Sequence, residues 1–193
     1  MRVDRPMRAE GPGQSALLML DVIDVLRKRG VGYAVIGAMA AALHGLVRAS
    51  LDADLVVSLR SRESAELKAA FDELGLRTEL RFGDPDDPIP ALLQVTDVHG
   101  NRVDLLFGLR GLDAGIFERA TEVGIVGESV RIVGREDFIA MKVFAGGPQD
   151  LDDARAAIAL DPKTLDLDLL RALADRFGRE TASGLEALLA ERN

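Results

Sequence analysis

Two aspartates separated by one residue open a short apolar stretch of the sequence. The residues after Asp54 in the segment 52–57 favour a β-strand, in which side chains alternate between the two faces. Asp52 and Asp54 therefore project from one face, about 7 Å apart. Two carboxylates so placed repel each other unless a cation lies between them, an arrangement that suits a hard divalent ion with several oxygen ligands. The alternative is a strand end with two solvated acids, because Asp-x-Asp alone is a common pattern.

A third acid lies inside another apolar run. Asp104 falls within residues 102–107, where an unpaired carboxylate would be costly to bury. Arg102, two residues earlier on the same strand face, offers one explanation as an ion-pair partner. If the strand instead runs beside Asp52 and Asp54, three carboxylates converge. Such a set can bind two Mg²⁺ ions that hold the attacking and the leaving oxygen of a displacement at phosphorus.

A glycine stands between the apolar run 33–36 and a helix-forming segment. Strand, glycine turn and helix start, in this order, present free backbone N–H groups that bind phosphate, and glycine lets the phosphate come close. Gly37 and Ala38 are therefore candidate nucleotide-binding residues, although tight packing explains one glycine equally well. Arg48 and Ser50 lie between this turn and the acids and are candidate phosphate contacts. Arg48 is equally compatible with a surface position.

A lysine occupies the apolar face of the helix predicted for residues 135–145. Steps of 100° place Lys142 at the centre of that face, so it must extend to solvent, pair with an acid or serve a site. Asp150 and two further acids follow Pro148, the predicted first residue of the next helix. Acids in a first turn are favoured by the helix dipole, which by itself explains them.

Composition excludes several kinds of chemistry. The chain has 193 residues, a net charge of −8, no cysteine and two histidines. The length suits one domain, or one domain with a small appendage. Without cysteine there is no disulfide scaffold, thiolate metal site or cysteine nucleophile, and the composition is compatible with a reducing compartment such as the cytoplasm. Any metal is expected on carboxylate oxygen, which points to Mg²⁺, Mn²⁺ or Ca²⁺. The acidic balance argues against broad polyanion binding but allows one local basic groove.

The elements that must position these residues form an α+β body followed by helices. Gly100, between two alternating runs, indicates a β-hairpin. Strands are predicted over 33–36, 52–59, 76–82, 91–96, 102–107, 122–126 and 129–133, and helices over 15–29, 38–43, 63–74, 135–145, 148–160, 165–177 and 181–192.

The pattern changes at about residue 134. Residues 1–134 are predicted to form an α/β core with a loose lead-in over 1–14, and residues 135–193 a helical region packed on that core. The stretch 30–47 carries no charge over 18 residues, but its glycines and alanines favour a strand, a turn and a short buried helix over a membrane span.

Taken together, these features resemble the signature of the DNA polymerase β-type nucleotidyltransferase superfamily. More narrowly, they resemble its small bacterial branch, which includes the AbiEii-like toxins of type IV toxin–antitoxin systems. Asp104 falls where the family has its third metal-binding acid, and the segments 136–142 and 149–153 resemble helical motifs of the AbiEii-like group. The first and strongest block consists of Ile36-Gly37-Ala38-Met39-Ala40, His44-Gly45, Arg48-x-Ser50 and Asp52-x-Asp54.

The resemblance implies a fold and an activity. The fold is a mixed sheet flanked by helices and followed by a C-terminal helical bundle. The activity is transfer of a nucleoside monophosphate (NMP) from a nucleoside triphosphate (NTP) donor to a hydroxyl of tRNA, a protein or a small molecule, with Mg²⁺ or Mn²⁺ as cofactor and a possible antitoxin as partner. The implied metal ligands are Asp52, Asp54 and Asp104, the nucleotide contacts Gly37, Ala38, Arg48 and Ser50, and the catalytic residues Asp104, Lys142 and Asp150.

One departure keeps a second hypothesis open. The family's turn is usually Gly-Gly or Gly-Ser, whereas Gly37-Ala38 lacks the serine hydroxyl. A non-catalytic nucleotide- or partner-binding module on the same fold is the alternative. A sugar-nucleotide transferase with an Asp-x-Asp motif is a third hypothesis, although that motif ordinarily follows its strand, while here the apolar residues come after Asp54.

Overall fold

A computed structural model of the chain describes residues 7–44 and 52–191. Seven strands form one mixed sheet in the order β3-β4-β5-β2-β1-β7-β6. The pairs β2–β5 and β1–β7 are parallel, and the other neighbours are antiparallel. The strands are β1 (Tyr33–Ile36), β2 (Asp52–Val57), β3 (Arg77–Phe82), β4 (Ala91–Thr96), β5 (Arg102–Phe107), β6 (Thr121–Ile125) and β7 (Glu128–Ile132).

Eight α-helices are described, together with a short 3₁₀ turn at Ser61–Glu63. The mixed sheet with flanking helices confirms the fold class expected from the sequence. Within the described ranges, none of these helices combines the length and hydrophobicity of a membrane span. The helices are α1 (Ser15–Lys28), α2 (Gly37–Leu43), α3 (Ser64–Glu73), α4 (Ile116–Arg119), α5 (Arg135–Ala145), α6 (Pro148–Leu160), α7 (Leu167–Phe177) and α8 (Arg179–Ala190).

Most element boundaries agree with the prediction to within two residues, and the shifts have local causes. Helix α7 begins at Leu167 rather than 165, because the Asp166 side chain accepts a hydrogen bond from the Leu169 N–H and caps the helix there. Helix α4 was not predicted, because a single turn is too short to carry a periodic pattern.

One face of the sheet is buried and the other is half open where the acids lie. Along β4 and β5, buried and half-buried residues alternate strictly. Helix α1 contacts β2 and β5, and α3 contacts β3 and β4. These helices therefore cover the face that carries Leu55, Leu93 and Leu105, each fully buried. The polar residues of β2, β4 and β5 are left on the opposite face.

The C-terminal helices are built around α5, which follows β7 after two residues. Helix α5 contacts α6, α7 and α8, and its buried residues Phe138 and Ile139 belong to the same hydrophobic cluster as the sheet. Arg119, at the end of α4, donates from Nε and Nη2 to the two carboxylate oxygens of Asp137, at 2.7 Å each. This bidentate pair holds the first turn of α5 against the end of α4.

Candidate active site

The parallel register of β2 and β5 places two of the predicted acids side by side. Asp54 and Asp104 are direct partners in this ladder, and Asp52 is the partner of Arg102. Partners across neighbouring strands share a face, as do residues two apart along one strand. All four side chains therefore project from the half-open face, while Ala53 and Leu105 are buried on the other. The structure brings the three predicted acids onto one surface.

The electrostatics of this surface favour a positive partner. Burial raises the pKa of Asp54 to about 6, and the nearby negative charges of Asp104 and Asp52 add to the shift. The positive charges of Arg102 and Lys142 oppose it without cancelling it. Burial and the two neighbouring acids therefore both disfavour the charged form of Asp54 in this structure.

Asp104 is half-buried and, among the described residues, has one hydrogen-bond donor, Gln94. Burial raises its pKa, opposed by the charge of Arg102 and by a hydrogen bond that Gln94 Nε2 donates to Oδ1 at 3.3 Å. Gln94 is the partner of Asp104 on the neighbouring strand β4. The side chain of Asp104 is 14% exposed, so one edge of the carboxylate remains accessible from the open face.

Arg102 lies between two of the acids. Its Nη2 donates to Asp52 Oδ2, and its Nε is 3.6 Å from Asp104 Oδ1. The ion-pair explanation considered for Asp104 and the convergence of acids thus both occur, because Arg102 and the acids share one face. Only the first contact is within hydrogen-bond distance.

Position 37 requires a glycine for a structural reason that does not involve phosphate. Its φ is +65°, and a Cβ on this residue would overlap Asp54 Oδ2 and lie 3.1 Å from Asp54 Cγ. The glycine thus lets the backbone turn from β1 into α2 while Asp54 rests against it. The glycine turn predicted after residue 36 is confirmed as a conformation. The nucleotide-binding role of Gly37 and Ala38 stays a prediction.

Lys142 pairs with acids of the next helix. Its Nζ is 2.6 Å from Asp150 Oδ1 and 2.8 Å from Asp153 Oδ2, and the Lys142 side chain is 10% exposed. Of the three outcomes considered for this lysine, pairing is the one observed, and the same ammonium acts electrostatically on Asp54. The sequence predicted a site role for Asp150 but not for Asp153, although the spacing of three residues places both on one face of α6.

Arg48 and Ser50 lie outside the described residues. His44, from the same sequence block, lies at the end of α2, where its Nε2 is 3.3 Å from the Val133 carbonyl oxygen and its ring centroid is 4.9 Å from that of Phe138. Burial lowers the pKa of His44, which fits a packed neutral imidazole better than a catalytic one.

The donor set suits a hard divalent cation by type and charge. Asp52, Asp54 and Asp104 offer only oxygen, and burial together with the charges of Asp104 and Asp52 raises the pKa of Asp54. Within residues 7–44 and 52–191, however, no three Asp, Glu or His side chains are arranged closely enough to hold a metal. Arg102 donates a hydrogen bond to Asp52 and lies 3.6 Å from Asp104, so its guanidinium supplies positive charge between these two acids. By donor type and charge alone, these carboxylates suit Mg²⁺ or Mn²⁺.

Comparison with known proteins identifies the fold. The antibiotic-resistance factor ANT(2'')-Ia in solution aligns with a TM-score of 0.58 and 17% identity, covering 93% of this chain and 96% of that chain. ANT(2'')-Ia in complex with adenylyl-2''-tobramycin aligns with a TM-score of 0.57 and 19% identity, covering 86% and 99%. An antigenic nucleotidyltransferase-like protein from Paracoccidioides brasiliensis aligns with a TM-score of 0.55 and 18% identity, covering 92% and 88%. The sequence itself matches no protein-family model and no curated protein.

The chain therefore shares the fold of these structures, one of which is a nucleotidyltransferase-like protein. Similarity at these identities establishes the fold alone. The AbiEii-like branch and the toxin–antitoxin role stay predictions.

Proposed function

We propose that this protein is a divalent-metal-dependent nucleotidyltransferase that moves an NMP from an NTP to an acceptor hydroxyl. The observation that carries the proposal is the register pairing of Asp54 with Asp104 on this fold, with Asp54 seated against Gly37. A binding-only module gains nothing from two partly buried carboxylates that repel each other.

In the proposed reaction, the acceptor oxygen attacks the α-phosphorus, the bond from that phosphorus to the bridging oxygen breaks, and pyrophosphate leaves with the bond electrons. Asp52, Asp54 and Asp104 would hold the metal, and Asp104 would also orient the acceptor hydroxyl and accept the proton that the hydroxyl loses. A bound Mg²⁺ supplies charge neutralisation for the triphosphate and the leaving pyrophosphate. Catalysis of this kind rests on positioning and charge.

The remaining residues would serve the nucleotide. Gly37 and Ala38 would face the triphosphate with their backbone N–H groups, and Arg48 and Ser50, which precede β2 in the sequence, are the further proposed contacts. Lys142 would reach the phosphates or act on the acceptor hydroxyl, and Asp150, which accepts from Lys142 Nζ, would position it.

In this proposal the chain divides at about residue 134. The α/β core supplies the acids and the glycine turn, while the helical region 135–193 supplies Lys142 and Asp150. The influence of Lys142 on the Asp54 pKa supports this division of labour, since it brings a charge from α5 to the acids of β2.

The proposed acceptors are a small molecule, a tRNA and a protein, and different observations support them. A small molecule is supported by the fold likeness to ANT(2'')-Ia, whose structure holds adenylyl-2''-tobramycin. A tRNA or protein acceptor, and a role as the toxin of a toxin–antitoxin pair, rest on the motif resemblance. Expression of the protein in a bacterium separates these cases: a toxin slows growth only while the acids are intact, so equal growth with Asp52→Ala removes the toxin role.

The direct test is label transfer. The protein is incubated with each α-labelled NTP, Mg²⁺ and a bacterial extract or an aminoglycoside. Transfer is expected with at least one nucleotide, and Asp54→Asn and Asp104→Asn should each lower it by about 100-fold or more, since each removes charge stabilisation of the transition state. Asp86→Asn, in the exposed loop after β3, is the matched control and should leave transfer unchanged. Nucleotide binding without transfer under either metal would instead favour the non-catalytic binding module.

A further inference from the structure

The residue opposite Asp52 in the central ladder is an arginine rather than a neutral side chain. Arg102 is the first residue of β5, and the parallel register sets it directly beside Asp52, two positions before Asp104. Its guanidinium therefore extends over the same surface as the predicted metal ligands. No rearrangement of the backbone is needed for it to reach either acid.

In the part of the chain that the structure describes, the contacts of this guanidinium are few, so another cation could take its place beside the carboxylates. Nη2 donates to Asp52 Oδ2, whereas Nε, 3.6 Å from Asp104 Oδ1, is buried and has no hydrogen-bond partner within the described residues. The side chain of Arg102 is 40% exposed, which leaves it an open route to solvent. A guanidinium retained for stability alone would be expected to satisfy its donors more fully.

We propose that Arg102 is a resident counter-cation that occupies the metal position between Asp52 and Asp104 and must swing out before a divalent cation binds. The inference rests on the proposed function, because it concerns the same carboxylates. Arg102 would then set the affinity of the site for a metal that binds without nucleotide, because the metal must compete with a positive charge tethered beside the carboxylates. Metal that arrives with the phosphates of an NTP competes more effectively, since the phosphates bring further ligands.

The test measures metal affinity rather than activity. Binding of Mn²⁺ to the full chain without nucleotide is followed by electron paramagnetic resonance of the free ion, for the wild type, Arg102→Gln and Arg81→Gln. Arg81 is the matched control: it influences Asp104 electrostatically, but its Nε pairs with Glu79 at 2.8 Å and does not contact the three acids. Both substitutions therefore remove one positive charge near the site.

Arg102→Gln is expected to bind Mn²⁺ at least about tenfold more tightly than the wild type, because two unit charges at ion-pair distance near a protein surface interact strongly enough to change a binding constant by that factor. Arg81→Gln should change the affinity by no more than about threefold, since exposed charges are screened. Equal changes in the two variants, or weaker binding in Arg102→Gln, would overturn the inference.

A second measurement uses the unmodified protein and so does not depend on the folding of a variant. The Nε–Hε signal of Arg102, assigned by its loss in Arg102→Lys, is followed by NMR during titration with Mg²⁺. It should shift with the same midpoint as metal binding, while the Arg81 signal stays in place. Metal binding with an unmoved Arg102 signal would contradict the proposal.

The two proposals fail in distinguishable ways. If NMP transfer depends on metal but Arg102→Gln leaves the metal affinity unchanged, only the counter-cation role of Arg102 is wrong. If neither the wild type nor Arg102→Gln binds Mn²⁺ or Mg²⁺ at millimolar concentration, with or without an NTP, both the metal-dependent reaction and the role of Arg102 are wrong.

Discussion

The carboxylate of Asp54 occupies the space that a side chain on residue 37 would need. Gly37 has φ of +65°, and an added Cβ would overlap Asp54 Oδ2. A strand-borne acid and the turn of the preceding βα unit are therefore fitted to each other, and each residue restricts what the other can be.

Replacing Gly37 should therefore cost more than backbone strain alone. We expect Gly37→Ala to lower the free energy of unfolding by about 2–4 kcal/mol, combining the left-handed backbone with the displaced carboxylate. Gly127→Ala is the control, because that glycine has φ of +78° and nothing within 4 Å of an added Cβ. Urea unfolding of both variants gives the difference. In an Asp54→Ala background the cost of Gly37→Ala should fall towards that of Gly127→Ala, because only the Cβ of Asp54 then remains, 3.2 Å from the added Cβ. No such recovery would show that the carboxylate contact is unimportant.

The raised pKa of Asp54 predicts a pH-dependent penalty on the metal-free fold. The folded protein holds this proton up to about pH 6, whereas the unfolded chain releases it near 3.8, so stability is lost as the pH rises from about 4 to about 6. Asp54→Asn removes the penalty. After discounting for solvent screening, it should stabilise the metal-free protein by about 1–2 kcal/mol at pH 7.5.

The same variant should give no gain at pH 4, where Asp54 is protonated in the folded state. Denaturant unfolding at the two pH values, with Asp86→Asn as the exposed control, measures the difference. An equal gain at both pH values would mean that the effect is not caused by the Asp54 charge.

The Arg119–Asp137 pair should be among the most sensitive contacts outside the site. Asp137 is 3% exposed, and both of its oxygens accept from Arg119. Arg119→Ala leaves a buried carboxylate uncompensated and should cost about 3–5 kcal/mol. Arg155→Ala, which breaks an exposed pair with Glu191, should cost less than about 1 kcal/mol. Thermal and urea unfolding test both, and the double variant Arg119→Ala/Asp137→Ala should lose less than Arg119→Ala alone.

Lys142 combines a structural and a proposed catalytic role, which variants can separate. Lys142→Met removes the partner of Asp150 and Asp153, the latter 8% exposed, and should destabilise the packing of α5 on α6. Adding Asp150→Asn and Asp153→Asn neutralises those acids and should restore most of the melting temperature. If Lys142 contacts the phosphates, the triple variant should still turn over about 100-fold more slowly than the wild type. A stable and fully active triple variant would assign Lys142 and Asp150 to structure alone.

The sequence predicts this architecture well where the signal is local. The alternation of 91–96 and 102–107 around Gly100 defines the hairpin of β4 and β5, and alternation also places Asp52 and Asp54 on one face. These features depend on residues a few positions apart, and the structure confirms them.

What local patterns leave undecided is which strands pair and in what register. That Asp104 stands beside Asp54, and Arg102 beside Asp52, follows from the pairing of strands far apart in the chain, which the residues alone left as one of two alternatives. The contact of Asp153 with Lys142 likewise depends on how α6 lies against α5. The motif resemblance anticipated the position of Asp104 but gave no indication of the fit between Gly37 and Asp54.

The ladder between β2 and β5 joins residues 50 positions apart, with α3 and two further strands between them in the chain. Contacts of such long range form late, because loop closure must precede them. A nascent chain still on the ribosome carries Asp52 and Asp54 well before Asp104 has been synthesised. Any reaction that needs all three acids therefore requires β2 and β5 to have paired, so it cannot begin before this part of the protein has folded.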